Sequence, residues 1–242
     1  MDPIELSVVA PVYNEADGIE RVVRGWSDVL ARASLRAEIV LADDGSTDAT
    51  GAILQRLKAE IPALRVLSYS PNHGYGFALH QAIQASRGEV VVTIDSDGQF
   101  DLADLTGLLA LYRERSLDFV TGYRERKRDS PVRVVADRGL NLLVRALFQI
   151  QLRDTNCAMK LIRGDLARSL RIEARGYPTP TEITLKLVAM GAKTAEAPVT
   201  HAERLAGRSK LQILPTTVDM VRFLLYLRRK IRLHQVGILQ TL

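Results

Sequence analysis

A single cysteine, Cys157, stands in the 242-residue chain, so no disulfide can close within it and a reducing compartment is permitted. It reads as a small buried side chain. Basic residues are missing ahead of the first apolar run: MDPIELSVVAPVYNEAD opens on acids, which argues against a secretory signal. Nor does any charge-poor apolar stretch approach the roughly 18–20 residues that span a bilayer, so an ordinary transmembrane helix is not expected. Internal repeats, low-complexity tracts and separating linkers are also wanting, which leaves one large domain or a domain with an appendage. Acids are scarce in one region. From Arg204 to Arg232 eight basic residues meet Asp219 alone, 8 − 1 = +7, whereas the whole chain carries 33 − 28 = +5 and the remainder therefore −2. Charge this localised argues against nucleic acid and puts the partner of the basic excess at the C-terminal end.

What is present is a chain with 47% hydrophobic residues, enough for a real core. Strand-length apolar runs recur at LSVVA (6–10), EIVLA (38–42), LRVLS (64–68), EVVVTI (89–94) and DFVTG (118–122). Between them lie stretches with a 3.6-residue period, such as GIERVVRGWSDVLARA (18–33) and ATGAILQRLKAEI (49–61). Asp48 or Thr50 can start the second helix, and Asp101 or Asp104 a helix running through Tyr112. After a charged loop, YRERKRDSPVR, a helix is expected around 136–148. A strand at CAMKLI (157–162), a helix around 181–190 and TAEAPV (194–199) follow. Such alternation predicts an α/β fold with a mostly parallel sheet covered by helices on both faces.

Open α/β sheets bind ligands at the carboxyl ends of their strands. Four polar segments fall there: PVYNE (11–15), DDGSTD (43–48), DSDGQ (95–99) and GYR (122–124). Asp95 and Asp97, one residue apart, offer two hard oxygen ligands of the kind Mg²⁺ or Mn²⁺ takes beside water and substrate phosphate. Gln99 can add a carbonyl oxygen or hold a water. The competing reading is a solvated turn, since Asp-Ser-Asp-Gly is good turn chemistry. Asp43, Tyr13 and Glu15 at neighbouring strand ends can accept hydrogen bonds from a nucleobase or ribose, with Pro11 and Tyr13 adding flat apolar contact.

Other uses of these motifs fit less well. An EF-hand loop wants Gly at its sixth position and Glu at its twelfth, whereas Gly98 is fourth from Asp95 and Thr106 twelfth. A phosphatase with an aspartyl nucleophile usually carries Thr or Val where Gln99 stands. NHGYGFALHQA (72–82) contains Gly-x-Gly, but a dinucleotide fingerprint needs a third glycine where Leu79 sits.

The ordered set VVAPVYNE, IVLADDGSTD, NHGYGFAL and TIDSDGQ, within residues 6–99, resembles the family 2 glycosyltransferases, whose GT-A fold binds nucleotide-diphosphate sugars. VTGYRERKRDSP, RGLNLL, DTNCAMKLIRGD and HAERLAGRSKL are similar to the polyprenyl-phosphate sugar transferases, the dolichol-phosphate mannosyltransferase group, and extend the likeness to about Leu211. This resemblance implies a GT-A catalytic domain over 1–211 and a helical, basic extension over 212–242. It assigns Pro11, Tyr13, Glu15, Asp43, Asp95 and Ser96 to the donor nucleotide. Asp95, Asp97 and Gln99 would hold Mg²⁺ or Mn²⁺, and Asp97, Arg124, Arg204 and Lys210 would serve catalysis, the three cations engaging phosphate. The implied donor is GDP-mannose or a UDP-sugar, and the acceptor a dolichyl- or undecaprenyl-type phosphate. Ala158-Met159 departs from the small-aromatic pair common in such proteins, which bears on donor or acceptor preference.

A phosphate-monoester acceptor is already anionic near neutral pH and demands no base; a hydroxyl acceptor does. The resemblance points to the former, with inversion at the anomeric carbon. Glu182 is the base to consider, its other reading being an acid favoured at a helix N-terminus. The stretch LPTTVDMVRFLLYLRRKIRLHQVGIL is apolar at Met220, Phe223, Leu224 and Leu227 before turning to RRKIR. It can lie at a membrane interface, placing the enzyme peripherally at the cytoplasmic face or beside a membrane partner, or it can pack against the core. Transfer to a saccharide hydroxyl, and a nucleotide-sugar-binding module without turnover, are the two alternative functions.

Overall fold

The computed structural model describes residues 3–125, 131–202 and 213–242, with the side chains of 131–136 and 213–215 left outside that description. Arg204 and Lys210 therefore lie outside the described residues. In chain order the elements are β1 (Leu6–Val12), α1 (Ile19–Arg32), β2 (Ala37–Asp44), α2 (Thr50–Glu60), β3 (Leu64–Tyr69), α3 (Tyr75–Ala85) and β4 (Val90–Thr93). A 3-10 turn (Leu102–Asp104) leads into α4 (Leu105–Glu114), followed by β5 (Phe119–Arg124), α5 (Pro131–Phe148) and β6 (Lys160–Arg163). The chain continues through α6 (Gly164–Ser169), α7 (Thr179–Ala189), β7 (Thr194–Val199) and α8 (Ile213–Gln235).

Seven strands form one sheet in the order β3-β2-β1-β4-β6-β5-β7. Every pairing is parallel except those of β6, which runs antiparallel to both β4 and β5. The near-continuous apolar strands follow from cover on both faces. Leu6, Val8, Ala10 and Val12 of β1 join α1, α2 and α4 in one core. Val9 of β1 points the other way, with Val40 and Ala42 of β2, into a core built on α3, α6 and α7. On α1 the buried residues Ile19, Val22, Val23, Trp26 and Leu30 recur at helical spacing, and each buried side chain of this size contributes about 1.5–3 kcal/mol.

The five strands expected before residue 125 are present, as are the helices over 18–33 and 49–61. Several details differ. The strand expected over 157–162 begins only at Lys160, because Cys157–Met159 belong to the loop that brings β6 in against its neighbours' direction. The segment holding Gly-x-Gly becomes α3, and α6 carried no recognised periodicity within its six residues. Asp101 caps the 3-10 turn by accepting from the Ala103 amide at 2.9 Å, whereas Asp104 turns its carboxylate to the Thr200 amide. Helix α8 packs onto α5 and α7: Met220, Leu224 and Leu227 are fully buried with Val144 and Leu185. Its outward side carries Val218, Arg222, Leu225, Arg229 and Arg232, all exposed.

Candidate active site

The carboxyl ends of β1 and β2 are in register, Val12 beside Asp43, and the loops that follow are tied together through backbone amides. Asn14 takes a left-handed conformation, φ 53°, and its amide N–H donates to Ser46 Oγ at 2.9 Å. The Glu15 N–H donates to Thr50 Oγ1 at 2.9 Å, and Thr47 N–H to Asn14 Oδ1 at 2.7 Å. Thr50 and Asp48, read from sequence as helix starters, thus also hold the preceding loop: Asp48 accepts from Thr50 N–H and Ala16 N–H. Tyr13 and Glu15 are half-buried on this rigid corner and Pro11 is buried beneath it. The two aspartates of DDGSTD divide their work. Asp43 accepts from the Ser46 amide at 3.1 Å, while Asp44, 1% exposed, accepts from the amides of His73 and Gly74 and so fixes the β3–α3 loop.

At the end of β4, Ser96 donates its hydroxyl to the Pro11 carbonyl at 2.8 Å, locking this turn to β1. Asp97 accepts from the Gln99 amide at 3.0 Å, with Gly98 at φ 75° completing the turn. The turn weighed as the competing reading is therefore present, shaped by the Asp97 carboxylate. Gln99 donates its side-chain amide to the Ala202 carbonyl at 3.2 Å, and Ala202 N–H returns to Gln99 at 2.8 Å. The chain just before Arg204 is thereby anchored to the Asp95–Asp97 turn. Among the described residues no group of three or more His, Cys, Asp or Glu forms a cation cage. Two adjacent carboxylates at a strand tip fit instead a hard cation that completes its shell with water and phosphate.

Asp95, half-buried, accepts a 2.8 Å hydrogen bond from the Tyr75 hydroxyl. Burial first, then the charge of Asp95, pushes the Tyr75 phenol well above its ordinary value, so it remains a donor. Nothing in the sequence patterns singled out Tyr75. The signal was the pair of glycines around it, whose service is close packing: a Cβ on Gly76 would lie 1.7 Å from the Ala174 carbonyl oxygen.

Arg124, expected to engage phosphate, sits in a buried charge cluster. Its Nε and one Nη grip Asp154 at 2.7 and 3.0 Å, and Asp137, which also accepts from the Tyr177 hydroxyl, lies 3.4 Å from Nη2. Burial opposes the guanidinium charge, but the Asp154 carboxylate outweighs it and the group stays firmly protonated. Lys160, which sequence reasoning passed over, is wholly buried nearby and donates to Thr121 Oγ1, the Thr155 carbonyl and Thr184 Oγ1 at 3.1, 3.2 and 2.8 Å. Burial pulls its ammonium down to about 8. Cys157 is fully buried, as expected, and burial pushes its thiol up to about 12.

Glu182 does not stand as a base would. It is 0% exposed; its carboxylate accepts from the amides of Glu173 and Ala174 and pairs with Lys186 at 2.8 Å. A carboxylate so satisfied is a structural clasp, and it supports the 173–174 segment against which α3 begins.

A mostly parallel seven-stranded sheet with interlocked loops after its first two strands and two aspartates after its fourth has the GT-A fold of glycosyltransferases. More narrowly, the chain belongs to glycosyl transferase family 2, whose sequence pattern matches residues 7–170. It is 28% identical over 239 residues to dodecaprenyl-phosphate galacturonate synthase of Rhizobium johnstonii, covering 96% of this chain and 70% of that protein. It is 30% identical over 213 residues to undecaprenyl-phosphate 4-deoxy-4-formamido-L-arabinose transferase of Edwardsiella ictaluri, covering 86% of this chain and 63% of that one. The fold is similar to that of glucosyl-3-phosphoglycerate synthase from Mycobacterium tuberculosis, crystallised with Mn²⁺, UDP-glucose and phosphoglyceric acid. The TM-score is 0.70 at 22% identity, over 93% of this chain and 80% of the other; at that identity the likeness is one of fold. The protein is a glycosyltransferase related to polyprenyl-phosphate sugar transferases.

Proposed function

We propose that this enzyme moves a hexose-type sugar from GDP-mannose or a UDP-sugar to a polyprenyl phosphate, with inversion and with Mg²⁺ or Mn²⁺ bound. The observation that carries the reading is the joining of the two halves of a donor site: Ser96 of the acidic turn bonded to Pro11 of the nucleotide corner. In this reading Pro11, Tyr13, Glu15 and Asp43 receive the nucleoside, Asp95 and Asp97 hold the cation, and Gln99 keeps the turn in place. When bound, the cation supplies Lewis-acid neutralisation of the departing diphosphate. Arg204 and Lys210 add positive charge to the same phosphates. Arg124 orients the rim through its bonds to Asp154 and Asp137. The acceptor phosphate attacks as an anion, so the clasped Glu182 is not needed as a base. Residues 1–211 form the catalytic domain in this assignment, and 212–242 an extension that docks on it.

Among the described residues no helix is long and apolar enough to cross a membrane. In this reading the lipid acceptor is met at the cytoplasmic face, through the outward arginines of α8 or through a membrane partner. The test is incubation of the full chain with a panel of nucleotide sugars, a short polyprenyl phosphate and Mn²⁺, read by mass spectrometry. The expected result is a glycosyl-phosphate lipid whose formation Asp97→Ala abolishes. Undiminished product from Asp97→Ala would sink the cation role; transfer only to sugar hydroxyls would sink the lipid acceptor.

A further inference from the structure

We propose that Tyr75 is a positioning residue for Asp95: its hydroxyl, held in place by the packed start of α3, fixes the carboxylate in the orientation that receives the divalent cation. This rests on the reading of Asp95 as a cation ligand.

The geometry is a lever with both ends anchored. Tyr75 is the first residue of α3, twenty positions ahead of Asp95, and its phenol reaches from the β3–α3 loop to the tip of β4 with an oxygen–oxygen distance of 2.8 Å. On one side, Asp44 receives the amides of His73 and Gly74 at 3.0 and 2.6 Å, so the backbone entering the helix is pinned to β2. On the other side the helix start lies flush on the segment before α7. The Gly76 amide donates to the Arg175 carbonyl at 3.2 Å. A Cβ at Gly74, where φ is 104°, would come within 2.5 Å of that same carbonyl, and one at Gly76 within 2.8 Å of Thr179 Oγ1. Glycine is required at both places because any side chain would push α3, and Tyr75 with it, away. The segment is itself immobilised, since Glu182 binds the amides of Glu173 and Ala174. A phenol carried on so constrained a backbone has few alternative positions, which makes its bond a geometric constraint on Asp95. Partners that orient a metal ligand in this way typically govern affinity by 10–100-fold.

The experiment compares the full-length wild type, Tyr75→Phe and Asp97→Ala. Mn²⁺ binding is followed by the EPR signal of the free aqueous ion; UDP and GDP binding are measured with Mn²⁺ and with EDTA; thermal unfolding is recorded for each. Phenylalanine keeps the ring and its packing but removes the bond. The expected result is Mn²⁺ binding weakened roughly tenfold or more in Tyr75→Phe, with nucleotide binding in EDTA and the unfolding midpoint unchanged. Wild-type Mn²⁺ binding by Tyr75→Phe, while Asp97→Ala loses it, overturns the role of Tyr75 and leaves the cation site standing. A Tyr75→Phe protein that unfolds earlier and binds nucleotide less well even in EDTA also overturns it, because the tyrosine is then a packing residue. Unchanged Mn²⁺ binding in both variants overturns the cation site and the inference together.

Discussion

Lys160 illustrates how a residue unremarkable in the sequence becomes a defined physical object once buried. Its ammonium sits among two threonine hydroxyls and a carbonyl, and burial lowers its value to about 8 from an ordinary 10.5. Between those two values the folded protein binds fewer protons than the unfolded chain, so stability rises with pH across the window; the full cost of the buried charge is present below about pH 8. Lys160→Met removes that dependence. Urea unfolding at pH 7 and at about pH 9.5 is expected to show the wild type gaining on the variant by on the order of 2 kcal/mol, and parallel pH profiles would refute it. Legibility at this scale was uneven. The placement of Asp43, Asp95 and Asp97 at the carboxyl ends of β2 and β4 could be read because each follows an unbroken apolar run. The Arg124–Asp154 grip could not, since its partners are thirty residues apart and meet only after a reversal of the chain. Glu182 carries two sequence readings, a base if one is needed or a helix N-terminal acid, because such an acid looks the same whether it faces a substrate or, as here, clasps two amides and a lysine.

Elements were more legible where they repeat a simple period. Strands β1 to β5 and helix α1 follow from continuous apolar runs and i, i+3, i+4, i+7 spacing, whereas α3 hid behind glycines that look like loop chemistry. Helix α8 had two readings, interfacial and core-packing, and its inner side shows the packing one. The buried stripe of Met220, Leu224 and Leu227 is core packing against α5 and α7, and Lys230 adds a bond to Glu173 at 2.5 Å. Leu224→Ala is expected to destabilise the fold by about 2–5 kcal/mol, the usual loss for emptying a filled apolar site. A change below about 0.5 kcal/mol in chemical denaturation would mean that α8 is not held there in solution. Donor binding should survive this change better than stability does, since Leu224 packs with Val144, Leu185 and Met220.

At the scale of the whole molecule, charge and topology act together. Arg222, Arg229 and Arg232 stand exposed beside Val218 and Leu225, a mixture suited to an anionic bilayer surface, where each cation contributes about 1 kcal/mol. Replacing the three arginines by glutamine should lower co-sedimentation with phosphatidylglycerol vesicles roughly 100-fold at low salt, with little binding to neutral phosphatidylcholine by either protein. Equal partition of wild type and variant would exclude this face. The overall architecture was readable because a parallel sheet covered on both sides leaves a simple alternating record, while the inserted antiparallel strand left none. That strand has a geographic effect. Because β6 enters the sheet at the rim where its neighbours leave it, the stretch from Asp154 to Met159 arrives at the strand ends near Asp95 and Asp97 as a threshold to a strand. Every residue of this doorstep is buried, Cys157–Met159 inside the main core, so replacements along it act on that rim through packing while the crossover helices keep their length.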